Sequence, residues 1–276
     1  MLLTVLAVLS LVSAGLICAF TDGFSSFSAF WIFPVSALGS FLALAGVTFL
    51  VVWIAFSLVR LDKPQEKDSP FYRKLVYLIV EAAFPILGMR MQTRGMENVP
   101  KDGRFLLVCN HLGDLDPVVL LHYFRKSQLA FISKRENQTM FIVGKAMHKI
   151  LCQLINREND REAMKTILKC VELIQKDMAS IAVFPEGYTS KDGLLHPFRH
   201  GVFKIAQKTK VPVVVCTLQN TNRVLKNIRH LKSTQVHLHL VDVIKPEDYQ
   251  GMTTVELGTL VHKKMAEDLG DDLVLS

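Results

Sequence analysis

No lysine or arginine occurs before Arg60, and Asp22 is the only charged side chain among the first 59 residues. A segment that short of charge is excluded as a solvated linker, a basic nucleic-acid arm or a disordered tail. Cysteine is also sparse. Cys18, Cys109, Cys152, Cys170 and Cys216 form no Cys-x-x-Cys pair, which excludes a disulfide scaffold and reads as reduced core side chains. His237-x-His239 puts two imidazoles on one strand face, but no Cys or carboxylate stands at ligand spacing, so no metal site is expected. Internal repeats are absent.

Half of the 276 residues are hydrophobic, and the mean hydropathy is +0.29. Met1–Phe20 is an unbroken apolar run, long enough to span hydrocarbon at ~1.5 Å per residue. A polar loop from Thr21 to Ser28 separates it from a second run, Phe30–Val59, which contains Pro34, Gly39 and Gly46. The start lacks the basic residues of a signal peptide and a second long apolar run follows, so an uncleaved helical hairpin is expected. Arg60, Lys63, Lys67, Arg73 and Lys74 crowd behind the second run. By the positive-inside tendency that flank is cytoplasmic, and two crossings return the N-terminus to the same side. A monotopic hairpin in one leaflet leaves the basic segment at the same headgroups. Either way the expected location is the cell membrane, with the rest of the chain on its cytoplasmic side and phospholipids as partners.

Residues 60–276 hold all 32 bases and 24 of the 25 acids, a net charge of +8. These bases lie beside apolar spans and show no aromatic-interleaved pattern, so no nucleic-acid partner is expected. The spacing divides the chain into an anchor at 1–59, a linker and interfacial helix at 60–94, and a larger domain at 95–276. Phe71–Met91 predicts an interfacial or buried helix. Beyond it, strands are expected at Phe105–Cys109, Leu129–Ser133, Ser180–Phe184, Val211–Leu218 and Gln235–Ile244. Helices are expected at Pro117–Phe124, Asn137–Gln153, Gly201–Lys208, Thr253–Leu269, and Arg161–Lys176 capped by Asp160 or Asn159. This alternation predicts an α/β fold, a largely parallel sheet flanked by helices and preceded by the hydrophobic hairpin.

Two polar turns leave predicted strand ends, the edge at which open α/β sheets collect ligands. In Asn110-His111-Leu112-Gly113-Asp114-Leu115-Asp116-Pro117, the Asp-Pro step reads as an N-cap and first turn. His111 therefore falls in a loop that can fold its imidazole back over Asp116, with Asp114 as a rival carboxylate. Such a pair suits general-base catalysis: a neutral imidazole takes a proton from a hydroxyl while the carboxylate fixes its tautomer. The second turn is Phe184-Pro185-Glu186-Gly187-Tyr188-Thr189-Ser190. Here Gly187 permits close backbone approach, and Glu186 can accept hydrogen bonds from glycerol-like hydroxyls.

With an apolar anchor, Asn-His-x-x-x-x-Asp and Phe-Pro-Glu-Gly in order, the sequence resembles the glycerolipid acyltransferases, specifically 1-acylglycerol-3-phosphate acyltransferases, over about Gly95–Leu218. Lys134-Arg135-Glu136, Gly144 and Ile155-Asn156-Arg157 resemble that family's acceptor-binding block. Phe198 and Gly201 resemble its Phe-x-x-Gly, and Val211-Pro212-Val213 its fourth motif. The resemblance implies a catalytic domain that moves an acyl group from acyl carrier protein or coenzyme A to lysophosphatidic acid, without an acyl-enzyme. It implies His111 as base and Asp116 as its orienting partner. It further implies acceptor binding by Glu186 and Gly187, phosphate binding by Arg157 and Lys134, and an acyl or thioester site shaped by Val211 and Pro212. No cofactor is implied, the thioester being a substrate. The bare residues agree on Arg157, whose planar guanidinium grips phosphate oxygens in pairs; its alternative is an ion pair with Glu158 or Glu162. The sequence departs from the family where Tyr188-Thr189-Ser190 lacks the usual arginine, a cation that Lys191 or Arg199 would have to replace. That departure leaves a different lysolipid acceptor, or a catalytically silent lipid binder, as rival readings.

Overall fold

The computed structural model describes residues 2–21, 30–190 and 192–275. The expected loop around Asp22 lies largely outside them, as does Lys191. The chain divides into two compact units, Met1–Arg60 and Leu61–Ser276. The first holds α1, Leu2–Phe20, and α2, Ile32–Ser57. The two pack on each other, and α1 buries Leu6, Ser10, Ala14 and Cys18, a four-residue spacing that keeps one stripe inward. Both are long and apolar enough to cross a membrane.

The second unit is built on one seven-stranded sheet. Its strands are β1 (Met89–Arg94), β2 (Leu106–Cys109), β3 (Leu129–Lys134), β4 (Gln153–Ile155), β5 (Ser180–Val183), β6 (Val213–Gln219) and β7 (Thr234–Ile244). They lie in the order β1-β7-β6-β2-β5-β3-β4. The five strands from β6 to β4 run parallel, whereas β7 is antiparallel to β6, with β1 parallel to β7. β2 and β5 are buried along their whole length, and β6 from Val213 to Leu218. That is why they read as continuous apolar runs. β7 sits further out and alternates, with Val236, Leu238 and Leu240 buried between half-exposed residues.

Helices cover the sheet: α3 (Pro70–Ile86), α4 (Asp116–Tyr123), α5 (Phe141–Lys149), α6 (Asp160–Gln175), α7 (Lys204–Thr209), α8 (Val224–Ile228) and α9 (Thr254–Leu269). Asn159 caps α6 by accepting from the Glu162 amide at 3.1 Å. α9 opens with a reciprocal capping box between Thr253 and Glu256.

Three expectations are corrected. Residues 61–94 are no separate linker but part of the second unit, because α3 packs on it and β1 forms a sheet edge. The expected helix Phe71–Met91 ends at Ile86, since Gly88, at φ +62°, turns the chain into β1. The expected helix Asn137–Gln153 is three elements: a 3-10 turn at Arg135–Thr139, α5, and β4. Met140 is extended between the first two, and Gly144 leaves room for the Gln138 carbonyl oxygen, which would lie 2.2 Å from any Cβ there.

Arg73, expected at headgroups, is buried instead. Its guanidinium donates to Asp68 at 2.7 Å, to the Leu129 carbonyl at 3.0 Å and to the Ile150 carbonyl at 3.1 Å. It therefore ties α3 to the start of β3 and the end of α5. Arg73→Met should cost about 3 kcal/mol, because a half-buried carboxylate and two carbonyls lose their donor. Thermal unfolding should show a midpoint lowered by roughly 10 °C, with the exposed neighbour Lys74→Met unchanged. Equal midpoints for the two variants would refute the buried role.

Candidate active site

The chain leaves β2 toward β3, two strands away, while neighbouring β6 sends its chain to β7 on the other side. Loops diverge at this edge and open a crevice past the C-terminal ends of the strands. Asn110 stands at its floor, 1% exposed. Its side chain donates to the Leu218 carbonyl at 2.9 Å and accepts from the Leu218 amide at 2.7 Å, locking β2 to the end of β6.

The next residue is the candidate base. His111 Nδ1 lies 2.8 Å from Asp116 Oδ2, so the expected pair is formed. The same oxygen accepts from the Leu112 amide at 2.6 Å and the Gly113 amide at 2.8 Å, and the other accepts from the Thr221 hydroxyl. Asp116 is fully buried and makes no side-chain cap. The N-cap reading is thus corrected: the carboxylate turns back onto its own loop, and Asp114 stays exposed and outside the network. With Nδ1–H donated to Asp116, the acceptor lone pair falls on Nε2. Phe184 stacks on the ring at 4.2 Å between centroids and 16° between planes, which fixes the imidazole's orientation.

Glu186 sits at the end of β5, 1% exposed. One carboxylate oxygen accepts from the His111 amide at 2.7 Å and the other from the His196 amide at 3.1 Å. Its oxygens hold two loops together through these backbone bonds. Gly187, at φ +82°, gives room to Arg199, whose Cδ and Nε would lie 2.9 Å from any Cβ there. The turn closes with the Ser190 amide donating to the His111 carbonyl at 2.8 Å.

Thr189 was not expected in the site. Its Oγ1 lies 3.1 Å from His111 Nε2. The hydroxyl stands one residue before Ser190, at the position where the related motif carries arginine, and that substitution was the one signal of it in the sequence. Thr221 went unread too, since it follows β6 in a Gln-Asn-Thr-Asn turn with no motif of its own.

The remaining expected residues divide between the two edges of the sheet. Lys134 ends β3 opposite Ile155 of β4, and Arg157 follows two residues later, so both lie on the same edge as His111. Arg157 is half-buried. Burial, and next the positive charge of Arg199, hold its guanidinium below its ordinary range, offset by Glu136. The alternative ion pair with Glu162 does not form, because that carboxylate is taken by Arg135 at 2.7 Å and Asn156 at 3.0 Å. Val211 and Pro212 precede β6 at the opposite edge, where the Pro212 carbonyl accepts from the Leu106 amide at 3.0 Å. A strand's length, roughly 15 Å, separates them from His111. The structure therefore sets them apart from the imidazole, at the other edge of the sheet.

Burial pushes the Glu186 carboxyl up to about 7, against the two backbone amides and His196 and His111, which pull it down. A folded-state value above the unfolded one means stability is fully present below about pH 4.5 and is lost as pH rises through about 7. The loss should amount to on the order of 3 kcal/mol. Melting curves from pH 4.5 to 8 should therefore fall more steeply for the parent than for Glu186→Gln. Parallel curves would refute the burial argument.

An acyltransferase family model matches residues 90–219, which contain β1, both polar turns and β6. A chloroplastic 1-acyl-sn-glycerol-3-phosphate acyltransferase of Brassica napus is 36% identical over 165 residues, 59% of this chain and 46% of that protein. A 1-acyl-sn-glycerol-3-phosphate acyltransferase of Borreliella burgdorferi is 26% identical over 200 residues, 69% of this chain and 79% of that one. The chain thus spans less than half the length of the plant relative and about four fifths of the bacterial one. The crystal structure of the 1-acyl-sn-glycerophosphate acyltransferase PlsC from Thermotoga maritima shares the fold, with a TM-score of 0.62 at 24% identity over 83% of this chain and 90% of that one. Fold, motif order and family model thus agree in likening residues 90–219 to the acyltransferase family.

Proposed function

We propose that the chain moves a fatty acyl group from an acyl thioester to the sn-2 hydroxyl of 1-acylglycerol-3-phosphate, giving phosphatidic acid. The observation that carries this reading is an alcohol oxygen, that of Thr189, 3.1 Å from Nε2 of an imidazole whose Nδ1 is held by a buried carboxylate. Nε2 is therefore poised to receive a hydroxyl proton, and the acceptor's hydroxyl replaces that of Thr189. His111 takes the proton as the acceptor oxygen attacks the thioester carbonyl. The C–S bond then breaks, and the departing thiolate recovers the proton from Nε2. Asp116 fixes the tautomer throughout and stabilises the imidazolium. No acyl-enzyme forms. The names of the Brassica and Borreliella relatives support the acceptor.

The donor is acyl carrier protein or coenzyme A carrying the acyl group. Lysophosphatidic acid and phospholipids are the membrane partners. The two apolar helices, roughly 28 and 39 Å long at ~1.5 Å per residue, support membrane attachment. The basic residues Arg60, Lys63, Lys67 and Lys74 support a cytoplasmic catalytic unit.

The test is acyl transfer from both thioester types to lysophosphatidic acid in the same membranes, parent against His111→Ala. Phosphatidic acid should form with the parent, and its rate should fall by about 10²–10⁴ in the variant. Undiminished turnover in the variant would remove His111 as base. A parent that acylates only phosphate-free acceptors would overturn the phosphatidate assignment.

A further inference from the structure

We infer that Thr221 is a positioning residue for the base: its hydroxyl, brought in from the end of β6, holds Asp116 in the orientation that keeps the His111 lone pair on Nε2. The inference rests on the acyl-transfer reading above and adds a third side chain to the pair.

Three observations carry it. The first is how the donors are shared. Asp116 Oδ2 takes three of them, His111 Nδ1 at 2.8 Å and the Leu112 and Gly113 amides at 2.6 and 2.8 Å, while Oδ1 takes the Thr221 hydroxyl. An ionised carboxylate has no proton to give, so Thr221 is the donor in this contact. The second observation is burial. Asp116 is fully buried and Thr221 is 2% exposed, so bulk water does not reach in to take the hydroxyl's place. Without that hydroxyl, Oδ1 would be the buried and unsatisfied end of a charged group.

The third observation is how firmly the hydroxyl is delivered. β6 is the neighbour of β2 on the side away from β5, and the Asn110 side chain bonds both backbone groups of Leu218 just before β6 ends. Two residues on, Asn220 turns the chain at φ +69°. Its carbonyl accepts from the Arg223 amide at 3.0 Å, and its side chain donates to the Gln235 carbonyl at 3.0 Å. This turn lies against the loop of the base, where a Cβ on Gly113 would meet the Asn222 backbone at 3.6 Å. Thr221 is thus held from its own strand, independently of His111. The chemical consequence comes through the carboxyl torsion. Donors on both oxygens fix the plane of the carboxylate. With Oδ1 released, the Cβ–Cγ torsion is broad, and Oδ2 is free to slide from Nδ1 toward the two amides. The imidazole proton is then shared between its nitrogens, and the tautomer with an open Nε2 lone pair is depleted.

The test uses the full chain in lipid nanodiscs and two variants: Thr221→Val, which keeps the shape and loses the hydroxyl, and Thr221→Ser, which keeps the hydroxyl. With lysophosphatidic acid and one acyl thioester, Thr221→Val should lower kcat by about 10-fold, the worth of one hydrogen bond to a charged group, with KM changed by less than about two-fold. Thr221→Ser should recover most of that loss. Placed in Asp116→Asn, Thr221→Val should slow turnover no further, because its effect passes through the carboxylate. A second readout needs no activity: by NMR of histidine-labelled protein, the His111 Nδ1 proton should exchange with water faster in Thr221→Val and at the parent's rate in Thr221→Ser. An unchanged kcat in Thr221→Val, equal losses in the two variants, or a full further loss in Asp116→Asn would overturn the inference. A parent that transfers no acyl group, with Nδ1 exchange still accelerated in Thr221→Val alone, would uphold the positioning role and defeat the acyl-transfer reading.

Discussion

The Asp116 carboxylate is the constraint on which the rest of the site depends. It lies at zero exposure and gathers four donors, one from the imidazole, two from the backbone behind it and one from Thr221 across the crevice. A buried carboxylate is tolerated only when its oxygens are satisfied, so the loop from His111 to Gly113 must wrap it. That wrapping delivers Nδ1 to the carboxylate and leaves Nε2 facing outward. Pro117 helps by a negative property, since the first turn of α4 has no amide there to compete for the oxygens.

Glu186 performs a parallel task one strand away. Its two oxygens hold the amides of His111 and His196, so the β2 and β5 loops are fastened to each other as well as to the sheet. Phe184 then lays its ring on the imidazole. The Phe-Pro-Glu-Gly turn is in this sense mostly a scaffold for His111: phenylalanine for the ring plane, glutamate for the backbone, glycine for the approach of Arg199.

What was legible followed from local physics. The buried strands announced themselves as apolar runs, α6 and α9 by their caps, and the His–Asp pair by a loop bounded by a strand end and an Asp-Pro step. What was illegible depended on tertiary placement. β4 has three residues, too few for any period, and β1 begins one residue after a glycine that ends a helix. Val211 and Pro212 came from the family pattern alone, and their edge was not legible: in a parallel sheet the residue before a strand lies at the far edge from the residue after its neighbour. Arg73 looked like one more headgroup base until two carbonyl partners appeared 56 and 77 residues away. Spacing along the chain carries no information about which edge or which depth a residue reaches.

The same geometry bears on how a base beside a thioester avoids spending the thioester on water. An imidazole with an open lone pair activates water as readily as it activates a lipid hydroxyl. In this protein the lone pair is covered by the Thr189 hydroxyl, set in a turn fixed by the Ser190 amide. A water molecule that displaced Thr189 would exchange one neutral hydrogen bond for another and gain little. In the proposed acyl transfer a lysolipid would bring more: its acyl chain would remain among apolar groups, so its hydroxyl would arrive with binding energy that water lacks. On this reading, acceptor binding supplies the free energy that uncovers the base, which couples recognition of the lipid to the onset of chemistry.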